Sequence, residues 1–206
     1  MLTSPPRALL IDFDGVLRVF EQAGYGTSLS PYGVTADDIA VVALAEMRLR
    51  PAITGQMTRQ QWLAGVAEHF ADQVGGLATA EEMVGIWAGY RGVVVPEVLE
   101  LVREVRAAGR PVALVTNATD DLHTDLAQLE LTDAFDAVVS SYEVRAHKPS
   151  KEYFTAACQA VGVLPADCLV VDDADRNVRG ARAMNMRAMR WSGVGDLPYV
   201  RAALGR

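Results

Sequence analysis

The sequence predicts an α/β fold: a parallel sheet with helices packed on it, and a small helical insert placed after the first strand. Two observations carry this. Short apolar runs at 8–12, 111–116, 136–139 and 168–171 recur along the chain, and from residue 96 onward they alternate with stretches whose apolar residues fall at helical spacing. The segment from about 18 to 90 breaks the alternation, with helical patterns and no strand pattern. Strands alternating with helices imply βαβ units, so the helical segment reads as an insert between the first strand and the second βα unit.

The elements follow in order. Ala8 to Ile11 form the first strand, which ends in Asp12 and Asp14 with Gly15 next. From Phe13 to about Pro31 the chain is polar and contains Gly15, Gly24 and Gly26, followed by Gly33, a loop pattern. Thr35 can cap a helix over 36–49 with Ile39, Val42, Ala43 and Met47 on one face, and Thr58 can cap a second over 59–72. A third runs near 79–89, with Trp62, Phe70 and Trp87 expected in the core of the insert. After Pro96 come a helix at 96–108 closed by Gly109, a strand at 111–116, a helix at 120–129 and a strand at 136–139. Then follow a helix from Pro149 to 161, a strand at 168–171, a helix at 176–185, a strand at 187–191 and a tail helix at 196–206. The predicted division is 1–17 plus 91–206 as the core and 18–90 as the insert.

Composition narrows the function. Half of the 206 residues are hydrophobic, enough for a sizeable core. A net charge of −7 argues against a nucleic-acid partner. The N-terminus lacks a signal-peptide layout and no apolar run approaches the ~20 residues of a membrane span, so a soluble, cytoplasmic protein is expected, monomer or homodimer. Cys158 and Cys168 have no metal-ligand spacing and read as reduced core residues. Of 19 basic residues only Lys148 and Lys151 are lysines, which singles out each.

The polar residues that end the strands sort by type. The first strand gives Asp12 and Asp14, the second Thr116 and Asn117, the third leads to Lys148 before Pro149, and the fourth gives Asp172 and Asp173. In a parallel sheet these ends share one edge, where ligands bind in open α/β sheets. Acids, a hydroxyl and an ammonium converging there suit phosphoryl transfer. Asp12 and one of Asp172 and Asp173 can supply oxygen ligands to Mg²⁺, and a carboxylate can attack phosphorus. Thr116 and Lys148 can hold phosphoryl oxygens, and Asp14 can move the proton of the leaving alcohol. Asp175 can cap the following helix, and Asn177 can bind loop backbone. His147 reads as a loop residue; Arg18, Phe20, Glu21 and Tyr25 stand between substrate contact and solvated loop.

These residues resemble the haloacid dehalogenase superfamily, in its phosphatase branch, over nearly the whole chain. Asp-Phe-Asp-Gly-Val-Leu at 12–17 is similar to its first motif, Val-Thr-Asn at 115–117 to the second, His-Lys-Pro at 147–149 to the third, and Val-Asp-Asp-Ala-Asp-Arg-Asn-Val at 171–178 to the fourth. The insert resembles the family's C1 cap, and Ile53 to Trp62 resembles a cap segment of sugar-phosphatase-like members. The resemblance implies a Rossmann-like core and a Mg²⁺-dependent phosphatase acting on a small phosphorylated metabolite through an aspartyl-phosphate. It implies Asp12 as nucleophile, Asp14 as acid and base, and Thr116, Asn117 and Lys148 on the phosphate. Mg²⁺ would sit on Asp12, the Asp14 backbone carbonyl and Asp173 or Asp172. The dehalogenase branch lacks an acid two residues after the nucleophile, so Asp14 favours the phosphatase. A phosphomutase of the β-phosphoglucomutase type would need the same core. A receiver domain uses similar residues in another order, and a non-catalytic phosphate-binding module is the remaining alternative.

Overall fold

The structure is a computed structural model that describes residues 4–25 and 28–205; Gly26 of the predicted loop lies outside them. The strands are β1 (Ala8–Ile11), β2 (Arg18–Val19), β3 (Val93–Val94), β4 (Val112–Thr116), β5 (Ala137–Ser140), β6 (Cys168–Asp172) and β7 (Arg187–Arg190). The helices are α1 (Ala36–Ala43), α2 (Glu46–Ile53), α3 (Arg59–Phe70), α4 (Leu77–Gly89), α5 (Pro96–Ala107), α6 (Leu122–Gln128), α7 (Ser141–Val144), α8 (Lys151–Val161), α9 (Asp175–Ala183) and α10 (Leu197–Ala203).

The main sheet has the order β5-β4-β1-β6-β7, and every neighbouring pair is parallel. Its three central strands are buried along their whole length, because helices cover both faces. Strand alternation sorts the side chains. Leu9, Ile11, Val112, Leu114, Leu169 and Val171 face α5, α6 and α10, whereas Leu10, Ala113, Val115 and Val170 face α8 and α9. Gly180 of α9 has no room for a Cβ, which would lie 2.5 Å from the Pro149 Cβ. The helix therefore packs closely on the loop that carries Lys148.

The segment between β2 and β3 builds its own core from Ile39, Ala52, Trp62, Val66, Phe70, Met83 and their neighbours. Thr35 and Thr58 cap α1 and α3 in reciprocal capping boxes with Asp38 and Gln61. Two expectations are corrected here. The helix predicted over 36–49 is two helices, with a break after Ala43; Met47, expected on the apolar face, is 92% exposed. The segment from 18 to 90 is not free of strand, because β2 pairs antiparallel with β3 where the chain leaves and rejoins the main sheet. Among the described residues, no helix is long and apolar enough to cross a membrane.

Candidate active site

The centre lies at the carboxyl ends of β1, β4 and β6. Asp12 directly follows β1, its backbone N–H donating to the Val171 carbonyl at 3.0 Å. Lys148 stands between Asp12 and Asp172, its Nζ 2.7 Å from an oxygen of each. The same ammonium donates to the Val115 carbonyl at 3.0 Å. Lys148 is 1% exposed and Asp172 is fully buried. Burial alone would lower the Lys148 pKa, but the charges of Asp12 and Asp172 overcome it and hold the pKa above its ordinary value. Burial, with Asp172 and Asp14 nearby, raises the Asp12 pKa well above the usual carboxylate range, against the pull of Lys148.

Asp172 and Asp173 have different surroundings. Asp172 accepts from Lys148, from the Ala174 backbone N–H at 2.9 Å, and from Asn177 Nδ2 at 2.9 and 3.1 Å. Asn177, expected to bind loop backbone, is instead buried and grips this carboxylate. Asp173 is exposed to solvent along one side, but partial desolvation of its carboxyl against the core and the neighbouring Asp172 charge raise its pKa. Gly15 lies against it: a Cβ there would be 2.2 Å from Asp173 Oδ2, and φ is +81°. Asp12, Asp172 and Asp173 each offer an oxygen within 4.8 Å of the others. This cluster can hold a metal ion, and three carboxylates against one ammonium leave the charge that one divalent cation would balance.

Thr116 closes β4, buried, beside Ser140 of β5; its carbonyl accepts from the Tyr153 hydroxyl. Asn117 bonds the Lys148 backbone in both directions, Oδ1 accepting at 2.8 Å and Nδ2 donating at 3.2 Å. Its amide thus fixes the lysine loop, with the second Nδ2 hydrogen not used in these two bonds. Asp175 does not cap α9; it is the first residue of that helix and pairs with Arg179 at 2.7 Å. His147 bonds the Lys148 carbonyl through Nδ1. Cys158 and Cys168 are free thiols, both buried.

The sequence left Arg18 between substrate contact and solvated loop. It is not a solvated loop residue: the guanidinium is buried, lies 4.0 Å from the Phe13 ring centroid, bonds both oxygens of Asp14, and lines the cavity beside that carboxylate. It also donates to Asp125 Oδ2 at 2.6 Å, and the other Asp125 oxygen is bonded by Arg91. Nothing local signals the contact with Asp125, because it and Arg18 are 107 residues apart. Above it, Trp62 and Trp87 were expected in the core of the insert alone. Trp62 is in that core, but both rings also line a cavity of about 400 Å³ that reaches Asp14.

A parallel sheet carrying an acidic cluster at its carboxyl edge, a lysine buried between two of the acids, and a helical layer above define an α/β enzyme of the hydrolase class. A family profile described as haloacid dehalogenase-like hydrolase matches residues 6–185, and the chain belongs to that family. Over 81 residues it is 40% identical to fructose-1-phosphate phosphatase YqaB of Escherichia coli, covering 39% of this chain and 43% of that protein. Over 101 residues it is 38% identical to the chloroplastic protein SUPPRESSOR OF QUENCHING 1 of Arabidopsis thaliana, covering 48% of this chain and 10% of that protein. The chain therefore spans less than half the length of these curated relatives. A HAD family enzyme of Bacteroides thetaiotaomicron, in complex with magnesium and inorganic phosphate, shares the fold at TM-score 0.73 and 18% identity, with 95% of this chain and 98% of the other covered.

Proposed function

We propose that the protein is a Mg²⁺-dependent phosphatase that hydrolyses a small phosphomonoester through an aspartyl-phosphate on Asp12. The observation that carries this reading is the buried Lys148 ammonium bridging Asp12 and Asp172, with the Asp173 carboxylate beside them. A halide leaving group needs no acid, whereas an alkoxide does, and Asp14 follows Asp12 by two positions. The name of the Escherichia coli relative and the ligands of the Bacteroides structure support the same choice.

Asp12 is the nucleophile. Its oxygen attacks phosphorus while the alcohol departs and takes a proton from Asp14; Asp14 then removes a proton from the water that cleaves the aspartyl-phosphate, releasing phosphate. Lys148 and Thr116 hold phosphoryl oxygens as their charge redistributes. Asp172, saturated by Lys148, Asn177 and the Ala174 N–H, positions the lysine. Asp12 and Asp173, with the Asp14 carbonyl, would hold Mg²⁺, which neutralises the repulsion between carboxylate and phosphate. Residues 18–90 act as a cap over this edge, joined to the core through the β2–β3 ribbon.

The test is hydrolysis of p-nitrophenyl phosphate with Mg²⁺ and with EDTA. Wild-type protein turns over only with the metal, and Asp12→Asn loses at least about 10³-fold, as removal of a nucleophile does. Undiminished turnover by that variant would overturn the assignment. Free phosphate as the product, rather than an isomer of a sugar phosphate, separates this reading from a phosphomutase.

A further inference from the structure

The cavity beside Asp14 has walls that discriminate among leaving groups. At about 400 Å³ it sits near the lower end of the ~300–1,000 Å³ range of ligand pockets. Leu44, Ile53 and Leu122 supply aliphatic wall, and Phe20, Trp62 and Trp87 supply rings. Tyr25, Asp37 and Thr119 also reach the wall, and the buried Trp87 indole N–H has no partner among the described residues, but the charged groups nearest Asp14 are engaged with one another. Arg18 holds Asp14 and Asp125, and Arg91 holds Asp121 and Asp125. Arg59 Nη2 donates to the Ala88 carbonyl at 2.6 Å, Asn117 is bonded to the Lys148 backbone, and the Trp62 indole N–H donates to the Ala43 carbonyl at 3.0 Å. The Tyr90 hydroxyl accepts from the Glu21 N–H at 3.4 Å. The lining is more apolar than polar, so a polyol placed here would turn several hydroxyls onto apolar wall, and each hydroxyl left unpaired is penalised. An aromatic ring would lose nothing by leaving water and would meet ring edges and faces.

We propose that the substrate's leaving group is an apolar, ring-bearing primary alcohol, so that the cavity takes an arylalkyl phosphate rather than a sugar phosphate. The proposal rests on the phosphatase reading of the same site. The phosphoryl group stays at Asp12, the ester oxygen lies at Asp14, and the ring occupies the space under Trp62 and Trp87.

The experiment compares two primary-alcohol esters of similar size, 2-phenylethyl phosphate and glucose 6-phosphate, on the full chain with Mg²⁺, with p-nitrophenyl phosphate as the reference. We expect kcat/KM for 2-phenylethyl phosphate to exceed that for glucose 6-phosphate by about 30-fold or more, the equivalent of burying one Phe-sized ring. Equal values, or a preference for the sugar ester, overturn the proposal while p-nitrophenyl phosphate is still hydrolysed. Failure to hydrolyse p-nitrophenyl phosphate overturns the phosphatase reading and this proposal with it. Leu44 is 55% exposed at the end of α1, so Leu44→Asn alters the wall with little risk to folding. It should cut the ratio of the two kcat/KM values by about tenfold, as a polar group is introduced against the ring; an unchanged ratio overturns the assignment of this wall.

Discussion

Arg18 forks onto Asp14, Nε to one carboxylate oxygen at 2.6 Å and Nη2 to the other at 3.1 Å. Each oxygen of the proposed acid–base residue accepts one of these bonds and keeps a second lone pair, and the Asp14 side chain is 46% exposed, so the fork orients the carboxyl while leaving it able to exchange a proton with a leaving alcohol. The same guanidinium reaches Asp125 on α6, which also receives Arg91. Arg18 lies where the chain leaves the sheet for the inserted helices, and Arg91 just before it returns. One carboxylate thus ties both crossings to the core.

The guanidinium side chain is 7% exposed and Asp125 is 14% exposed, so removing one partner leaves a buried charge. Arg18→Met should lower stability by about 3 kcal/mol, read as a drop in the urea midpoint. Adding Asp125→Asn to that variant should cost less than the sum of the single changes, because the two share one network. Strict additivity would show that the ion pairs do not act together.

Gly15 permits the approach of Asp173. The backbone there has φ +81°, and a Cβ would meet the Asp173 carboxylate at 2.2 Å. Gly15→Ala must displace either the turn after Asp12 or Asp173 itself, and a shift on the ångström scale at a catalytic group costs about 10² in rate. Activity should fall by that order while the far-ultraviolet circular dichroism is retained. Wild-type kcat in Gly15→Ala would remove Asp173 from the centre.

The acidic cluster makes metal binding visible without turnover. At a Mg²⁺ concentration about 100-fold above Kd, the folded state gains about 2.7 kcal/mol, which for a chain of this size raises Tm by roughly 5–10 °C. Asp173→Asn should remove most of that rise. Asp175→Asn, which alters only the exposed pair with Arg179, should keep it.

How far the sequence could be read follows from where each signal resides. The central strands are legible because burial on both faces makes them apolar runs, and the acids mark their ends. The strand β2 is not, because two residues carry no periodicity; it exists through pairing with β3, more than seventy positions away. The break after Ala43 is hidden because Val42 and Met47 keep the spacing of one helix across it. Asp12, Lys148 and Asp172 could be nominated from strand order, but the choice between Asp172 and Asp173 could not. It depends on Asn177, whose amide turns back from α9 onto Asp172. Arg18 was opaque for the opposite reason: a charge in a Gly-rich passage suggests solvent, and only the fold brings Asp125 to it.

Asp136 gives the fold a pH dependence outside the acidic cluster of Asp12, Asp172 and Asp173. Burial would raise its pKa, but the Arg106 fork and the Val112 N–H, at 2.8 Å, outweigh that and hold it below the ordinary value. A depressed carboxylate pKa contributes stability that is present above the unfolded-state value and is lost as pH falls through the folded-state value. Asp136→Asn should therefore cost about 1 kcal/mol at neutral pH, and the difference from wild type should shrink in acid, in urea titrations run at both. A constant difference would assign the effect to packing.

Gly55 sits where the inserted helices touch the core. Its carbonyl accepts from Arg145 Nη1 at 2.7 Å. Its φ is +71°, and a Cβ would lie 2.9 Å from the Tyr142 carbonyl oxygen. A few residues on, the Arg59 N–H donates to Asp120 at 2.7 Å, so this loop is fixed to the core at two points. Gly55→Ala is strained in backbone and crowded against a backbone atom, which cannot swing aside as a side chain can. The strain should cost about 1 kcal/mol in stability. The larger effect should be on catalysis, since the loop leads directly into Trp62 of the cavity wall: KM for an arylalkyl phosphate should rise while inhibition by inorganic phosphate, which needs only the sheet edge, changes less. A parallel loss of phosphate inhibition would mean that the loop shapes the sheet edge as well as the cavity.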